Sequence, residues 1–208
     1  MKRIILVVLA VAASAGTMLA AQGGAQAQEA VSKAKAAAFD ARMFKVAVTG
    51  KSAACFVRSY DTSHLAQHPM QKVSAMKLLV EAERVPETGT VNYAVSIGIQ
   101  YRDRPGNFES GGYCGHVIAT AAGHELRYEC AADCEGGGMT VALSKDNKSA
   151  IMRVARIGIS DPSKPNEYTG EMLVGSGDDK VFRVDRVDVK ECAELMTDRA
   201  EVAAVTHE

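Results

Sequence analysis

Residues 91–101 read Val-Asn-Tyr-Ala-Val-Ser-Ile-Gly-Ile-Gln-Tyr, with Tyr93, Val95, Ile97 and Ile99 spaced two apart. Side chains alternate between faces every residue on a strand, so this spacing predicts a β-strand with one buried face. Asp103-Arg104-Pro105-Gly106-Asn107 supplies a turn, and 108–118 and 125–130 continue the alternation. The glycines at 111, 112 and 115 predict strong curvature or a bulge in the second of these strands, the device by which a sheet bends into a barrel. Placing Cys114 opposite Cys130 sets His116 against Tyr128 and Ile118 against Leu126. It also centres the loop on Ala121-Ala122-Gly123, where a three-residue hairpin wants a glycine at positive φ.

The rest of the chain follows the same plan. Further strands are predicted at 53–60, 73–82, 139–143 and 151–159, and a last hairpin is predicted from 171–174 and 181–187 about Gly175-Ser176-Gly177-Asp178-Asp179. Arg153 and Arg156 interrupt both faces of the 151–159 run. Asp61 is placed to cap a short helix that Pro69 ends, with one short helix near 62–68, and 189–196 has room for a short C-terminal helix. The predicted fold is all-β: a mainly antiparallel up-and-down barrel or sandwich of about eight strands. The expected organisation is a signal peptide at 1–27, a mobile lead-in or short surface helix at 28–50, a single β domain at 51–197 and a C-terminal tail at 198–208. The absence of Trp argues against an immunoglobulin-type core.

Lys2 and Arg3, an apolar run from Ile4 to Ala13, and Ala25-Gln26-Ala27 predict a secretory signal peptide. A membrane anchor would need about 20 mainly apolar residues, whereas 14–28 is small and polar. No later stretch is long and apolar enough to span a bilayer. Removal of residues 1–27 takes away Lys2 and Arg3 and no acid, leaving 22 basic against 25 acidic residues. That balance carries no footprint for nucleic acid. The five cysteines, Cys55, Cys114, Cys130, Cys134 and Cys192, all lie in the mature chain, and in an exported protein they pair where geometry allows. One must be left over.

His64 and His68 share a helix face at a spacing of four, which suits two imidazoles on one zinc or copper ion. A third ligand would come from Asp61, His116 or His124. Leu65 stands where the zinc-protease motif needs a glutamate, which argues against that protease. The competing reading is packing of both rings against a strand end. Cys130-x-x-x-Cys134 resembles the soft-metal pair of copper-delivery proteins, over those two residues only, and Met139 lies near it. Asp133 with Glu135, or Asp178 with Asp179, offers oxygens to calcium without the spacing of a dedicated loop. Ser110-Gly111-Gly112-Tyr113 resembles the Ser-Gly-x-x-Tyr loop of small exported lysozyme inhibitors, with the Tyr one position early. It would imply inhibition of a secreted enzyme through an exposed loop at 110–116. No nucleophile elbow, catalytic triad or phosphate loop is legible, so no catalytic residue is assigned.

The sequence therefore predicts an exported cell-envelope binding or structural protein, periplasmic or secreted. Its partner would be a small apolar ligand, held in a barrel lumen lined by Tyr and Met, or an envelope protein. The alternatives are a metal-binding protein or metal-dependent hydrolase built on His64 and His68, and an inhibitor of a secreted enzyme.

Overall fold

A computed structural model describes residues 31–119, 124–132, 137–164 and 170–196. The predicted signal peptide and C-terminal tail, the 121–123 loop centre, and Asp133, Cys134 and Glu135 lie outside the described residues. Nine strands form one sheet: β1 (Lys51–Ser59), β2 (Val73–Arg84), β3 (Val91–Tyr101), β4 (Phe108–Ala119), β5 (Glu125–Ala132), β6 (Gly138–Leu143), β7 (Ser149–Gly158), β8 (Met172–Val174) and β9 (Val181–Val187). Consecutive strands pair antiparallel from β1 to β7; β9 then pairs with both β7 and β1 and closes an eight-stranded barrel, with β8 as an extra strand on β7. Closure removes the exposed sheet edges that a meander would otherwise present.

The predicted register holds across the central hairpin. Cys114 faces Cys130, His116 faces Tyr128 and Ile118 faces Leu126. Cys114 and Cys130 are bonded, and a second disulfide joins Cys55 to Cys192. The Cys55–Cys192 bridge fastens the 3-10 helix at Val189–Leu195 to the outside of the wall, where Leu195 and Met196 cover Leu79. These two bridges fit an oxidising compartment.

The predicted 171–174/181–187 hairpin does not form. β8 pairs with Arg156–Gly158 and β9 with Ser149–Arg153, so both lie along β7 rather than against each other. The irregular pattern of 151–159 has a physical cause. Gly138 pairs with Arg156 and Met139 with Val154, so Ala155 is extra. This bulge lets Arg153 and Arg156 both face solvent while Val154 and Ile157 are buried.

Inward residues from every barrel strand form one core, including Phe56, Leu78, Ile97, Tyr128, Val141, Met152 and Phe182. Residues expected to be a mobile lead-in belong to this core. Ser32 caps α1 (Lys33–Phe44), and the helix buries Phe39, Met43 and Phe44 among the strand side chains. Each such side chain contributes about 1.5–3 kcal/mol by leaving water. The lumen is filled by protein: Tyr128 and Met139, the kind of residues expected to line a ligand cavity, are packed to 0% and 2% exposure. Lys77, Glu83, Arg127, Glu129 and Arg153 occupy the outward positions. Apolar inside and charged outside is the reverse of a transmembrane barrel. Among the described residues, no helix is long and apolar enough to cross a membrane.

Candidate functional site

Asp40 enters the lumen on α1 and is 5% exposed. Tyr93 of β3 donates to its Oδ2 at 2.6 Å, and Tyr128 of β5 donates to its Oδ1 at 2.8 Å. His116 Nε2, on β4, lies 2.8 Å from the same Oδ1. An ionised carboxylate only accepts, so Nε2 carries the proton of that contact. Phe39 closes the cluster with edge contacts to Tyr128 and His116, at ring-centroid distances of 5.0 and 5.7 Å. Burial by itself would raise the Asp40 carboxyl, but the three hydrogen bonds and the neighbouring imidazole outweigh it and hold the group below its usual range. Burial, then the carboxylate, pushes the Tyr93 and Tyr128 phenols well above theirs.

The other end of the helix is held by Arg186 of β9. It donates to the carbonyls of Met43 (2.8 Å), Arg42 (3.3 Å) and Asn147 (2.9 Å), and its guanidinium lies 4.5 Å from the centre of the Phe56 ring. Two of those carbonyls are the acceptors that a helix C-terminus leaves unpaired. With its carboxylate buried and met by three donors, the Asp40 cluster is a fastening for the helical plug.

Asp61 caps α2 (Thr62–Gln67), accepting from the His64 amide at 2.7 Å. His64 and His68 do share a face, and their rings stack at 4.3 Å, with Tyr60 stacked on the other side of His64 at 4.7 Å. Gln71 donates its Nε2 to the Val73 carbonyl, which leaves Oε1 facing His64 Nε2 at 3.0 Å; the imidazole proton is therefore on Nε2. His68 Nδ1 lies 3.7 Å from Asp178. The third ligands foreseen for zinc or copper are engaged or elsewhere. Asp61 is the helix cap, His116 is bound to Asp40, and His124 begins the β5 side of a hairpin at φ 62°. Among the described residues no three His, Cys, Asp or Glu side chains converge as a metal set. Asp179 accepts from the Lys72 and Val73 amides, at 2.8 and 3.2 Å, as a buried brace for the start of β2. Residues 110–116, expected to offer an exposed loop, lie within β4, with 110–114 paired to β3 and 112–116 to β5; Tyr113, 71% exposed, projects from the wall there.

The concavity with unspent chemistry is on the outside of the wall. A groove of about 600 Å³ runs over β5, β6 and β7 to the start of β9. The register sets Glu129, Thr140, Arg153 and Val181 in one row across four strands, roughly 4.8 Å apart. Arg127 lies two positions from Glu129 on the same face, and Lys180 precedes Val181 at the rim. Arg127 Nε and Thr140 Oγ1 are buried and have no hydrogen-bond partner among the described residues. Each such atom costs about 1–3 kcal/mol while unpaired. Close backbone packing shapes the groove end: a Cβ at Gly175 would fall 1.8 Å from the Val154 carbonyl oxygen, and Gly137, at φ +150°, would place one 2.3 Å from that of Arg156.

Nothing local in the sequence marks this groove. Its charged residues look like the ordinary solvent-facing half of three alternating strands, and the row exists only once those strands pair. No family of known proteins, no curated protein and no solved structure matches the chain.

Proposed function

We propose that the chain is an exported, disulfide-braced binding protein of the cell envelope, and that it binds its ligand in the groove over β5–β7 rather than in the barrel lumen. The observation that carries this reading is a groove of about 600 Å³ lined by Arg127, Thr140, Arg153 and Lys180, two of which hold a buried polar atom without a hydrogen-bond partner among the described residues. Pockets of roughly 300–1,000 Å³, mostly apolar with a few placed polar groups, are the usual size and style for small ligands. Among the described residues, the lumen is filled by packed side chains and by the Asp40 cluster.

Backbone amide shifts of the untagged mature protein, followed against a panel of neutral, anionic and cationic fragments, test the location. Shifts confined to 127–131, 137–140, 153–155 and 180–181 support the groove. Shifts centred on α1 and the lumen, or on His64 and His68, would move the site there. Elemental analysis of the same protein separates the competing metal proposal: about one zinc or copper per chain, lost on replacing His64 and His68 by Ala, would install it instead. Sequencing the mature N-terminus tests export, with Gln28 expected first.

A further inference from the structure

We infer that the groove over β5–β7 is a site for a small amphipathic oxyanion, a carboxylate or phosphate head on an apolar body. This rests on the groove being the binding surface and adds the chemistry of what it takes. Three cationic side chains, Arg127, Arg153 and Lys180, line the groove against one carboxylate, Glu129. None of the four takes part in an ion pair among the described residues, whereas Arg58 pairs with Asp185, Lys77 with Glu194, and Arg104 with Glu171 in a two-pronged contact. Among the described residues the excess of positive charge in the groove is local and has no ion-pair partner, on a chain whose overall balance is slightly acidic.

The unpartnered atoms agree with the charge. Arg127 Nε can only donate, while the Thr140 hydroxyl can donate or accept, so a ligand group that reaches Arg127 Nε is an acceptor. An oxyanion offers several acceptor lone pairs, and an arginine binds its planar edge in two places at once. The remainder of the lining is apolar or backbone: the side chains of Ala155 and the half-exposed Val181, and the main chain of Gly137, Gly138, Met139 and Val154, with the side chains of Met139 and Val154 pointing into the core. A bare inorganic anion would leave that surface in contact with water, whereas an apolar body covers it. A neutral amphipath would leave the cations uncompensated. Only the combination uses the whole groove.

The test is titration calorimetry of the untagged mature protein with four ten-carbon probes: decanoate, decyl phosphate, decanol and decyltrimethylammonium, each below its micelle concentration. Decanoate or decyl phosphate is expected to bind at least tenfold more tightly than decanol, with the cationic probe weakest. The ratio between the two anions distinguishes a carboxylate site from a phosphate site. Added salt weakens anion binding, and Arg127→Ala or Arg153→Gln reduces it at least tenfold with the melting temperature unchanged; Glu129→Gln strengthens it. Decanol binding as tightly as the anions would overturn the oxyanion inference yet leave the groove as the site, provided the groove variants weaken it. Failure of both anions to bind, or binding that ignores Arg127→Ala, Arg153→Gln and Lys180→Gln, would also overturn the inference. The amide-shift experiment then decides separately whether the groove binds anything else.

Discussion

Replacing Asp40 by Ala removes one acceptor and strands three donors, each on a different strand of the wall. Tyr128 is fully buried and His116 nearly so, so their O–H and N–H cannot reach water when the carboxylate goes. Tyr93 is only half-buried and can turn toward solvent. A buried donor left unpaired costs about 1–3 kcal/mol, which sets the loss from Tyr128 and His116 at roughly 2–6 kcal/mol. Part of this is offset, because alanine no longer requires a charge to be held away from water. A net destabilisation of about 3 kcal/mol follows. At roughly 2–4 °C per kcal/mol for a domain of this size, the melting temperature should drop by about 6–12 °C. The measurement is guanidinium unfolding followed by near-ultraviolet circular dichroism, with amide exchange recorded across α1. Exchange in Lys33–Phe44 should rise before that of the barrel strands, since the cluster and Arg186 are what fasten this helix. A variant within 1 kcal/mol of the parent, with α1 still protected, would refute the claim that Asp40 holds the plug.

The pH dependence follows from the same group. Its folded pKa is depressed below the ordinary 3.8, so its contribution is complete above that value and is lost as pH falls through the lowered one; thermal melts from pH 5 to pH 2 should show a fall in the parent that is smaller in Asp40→Asn. Replacing both Cys55 and Cys192 by Ala opens a 137-residue loop and should cost about 5 kcal/mol by chain entropy, against about 3 kcal/mol for the 16-residue loop of Cys114 and Cys130, as read from denaturant midpoints. Thiol counting of the denatured, unreduced protein should return one reactive group per chain, because two bridges consume four of the five cysteines. Arg186→Leu keeps most of the volume but leaves the Met43 and Asn147 carbonyls without their donor; a loss of about 2–3 kcal/mol is expected in the same assay, and a neutral result would mean that water replaces the guanidinium there.

The sequence by itself determined the strands and the faces they turn inward, because a period of two is written into each segment without reference to any other. Tyr93 to Ile99, the Cys114–Cys130 register and the Asp61 cap were legible for that reason; turn residues and a capping side chain act over a few positions. The tertiary structure decided what depends on distant partners. β8 and β9 looked like a hairpin because they are neighbours in sequence, yet β7 is long enough to pair with both, and the Ala155 bulge on that strand explains two arginines that seemed out of phase. Residues 33–44 looked like a mobile lead-in or surface helix because large apolar residues are sparse among Ala and Lys there, and the segment also carries Asp40. Its burial makes sense only when three donors from β3, β4 and β5 are known to meet it. The groove is the extreme case. Arg127, Thr140, Arg153 and Lys180 are each unremarkable in their own segments, and only the pairing of β5, β6, β7 and β9 gathers them around one groove.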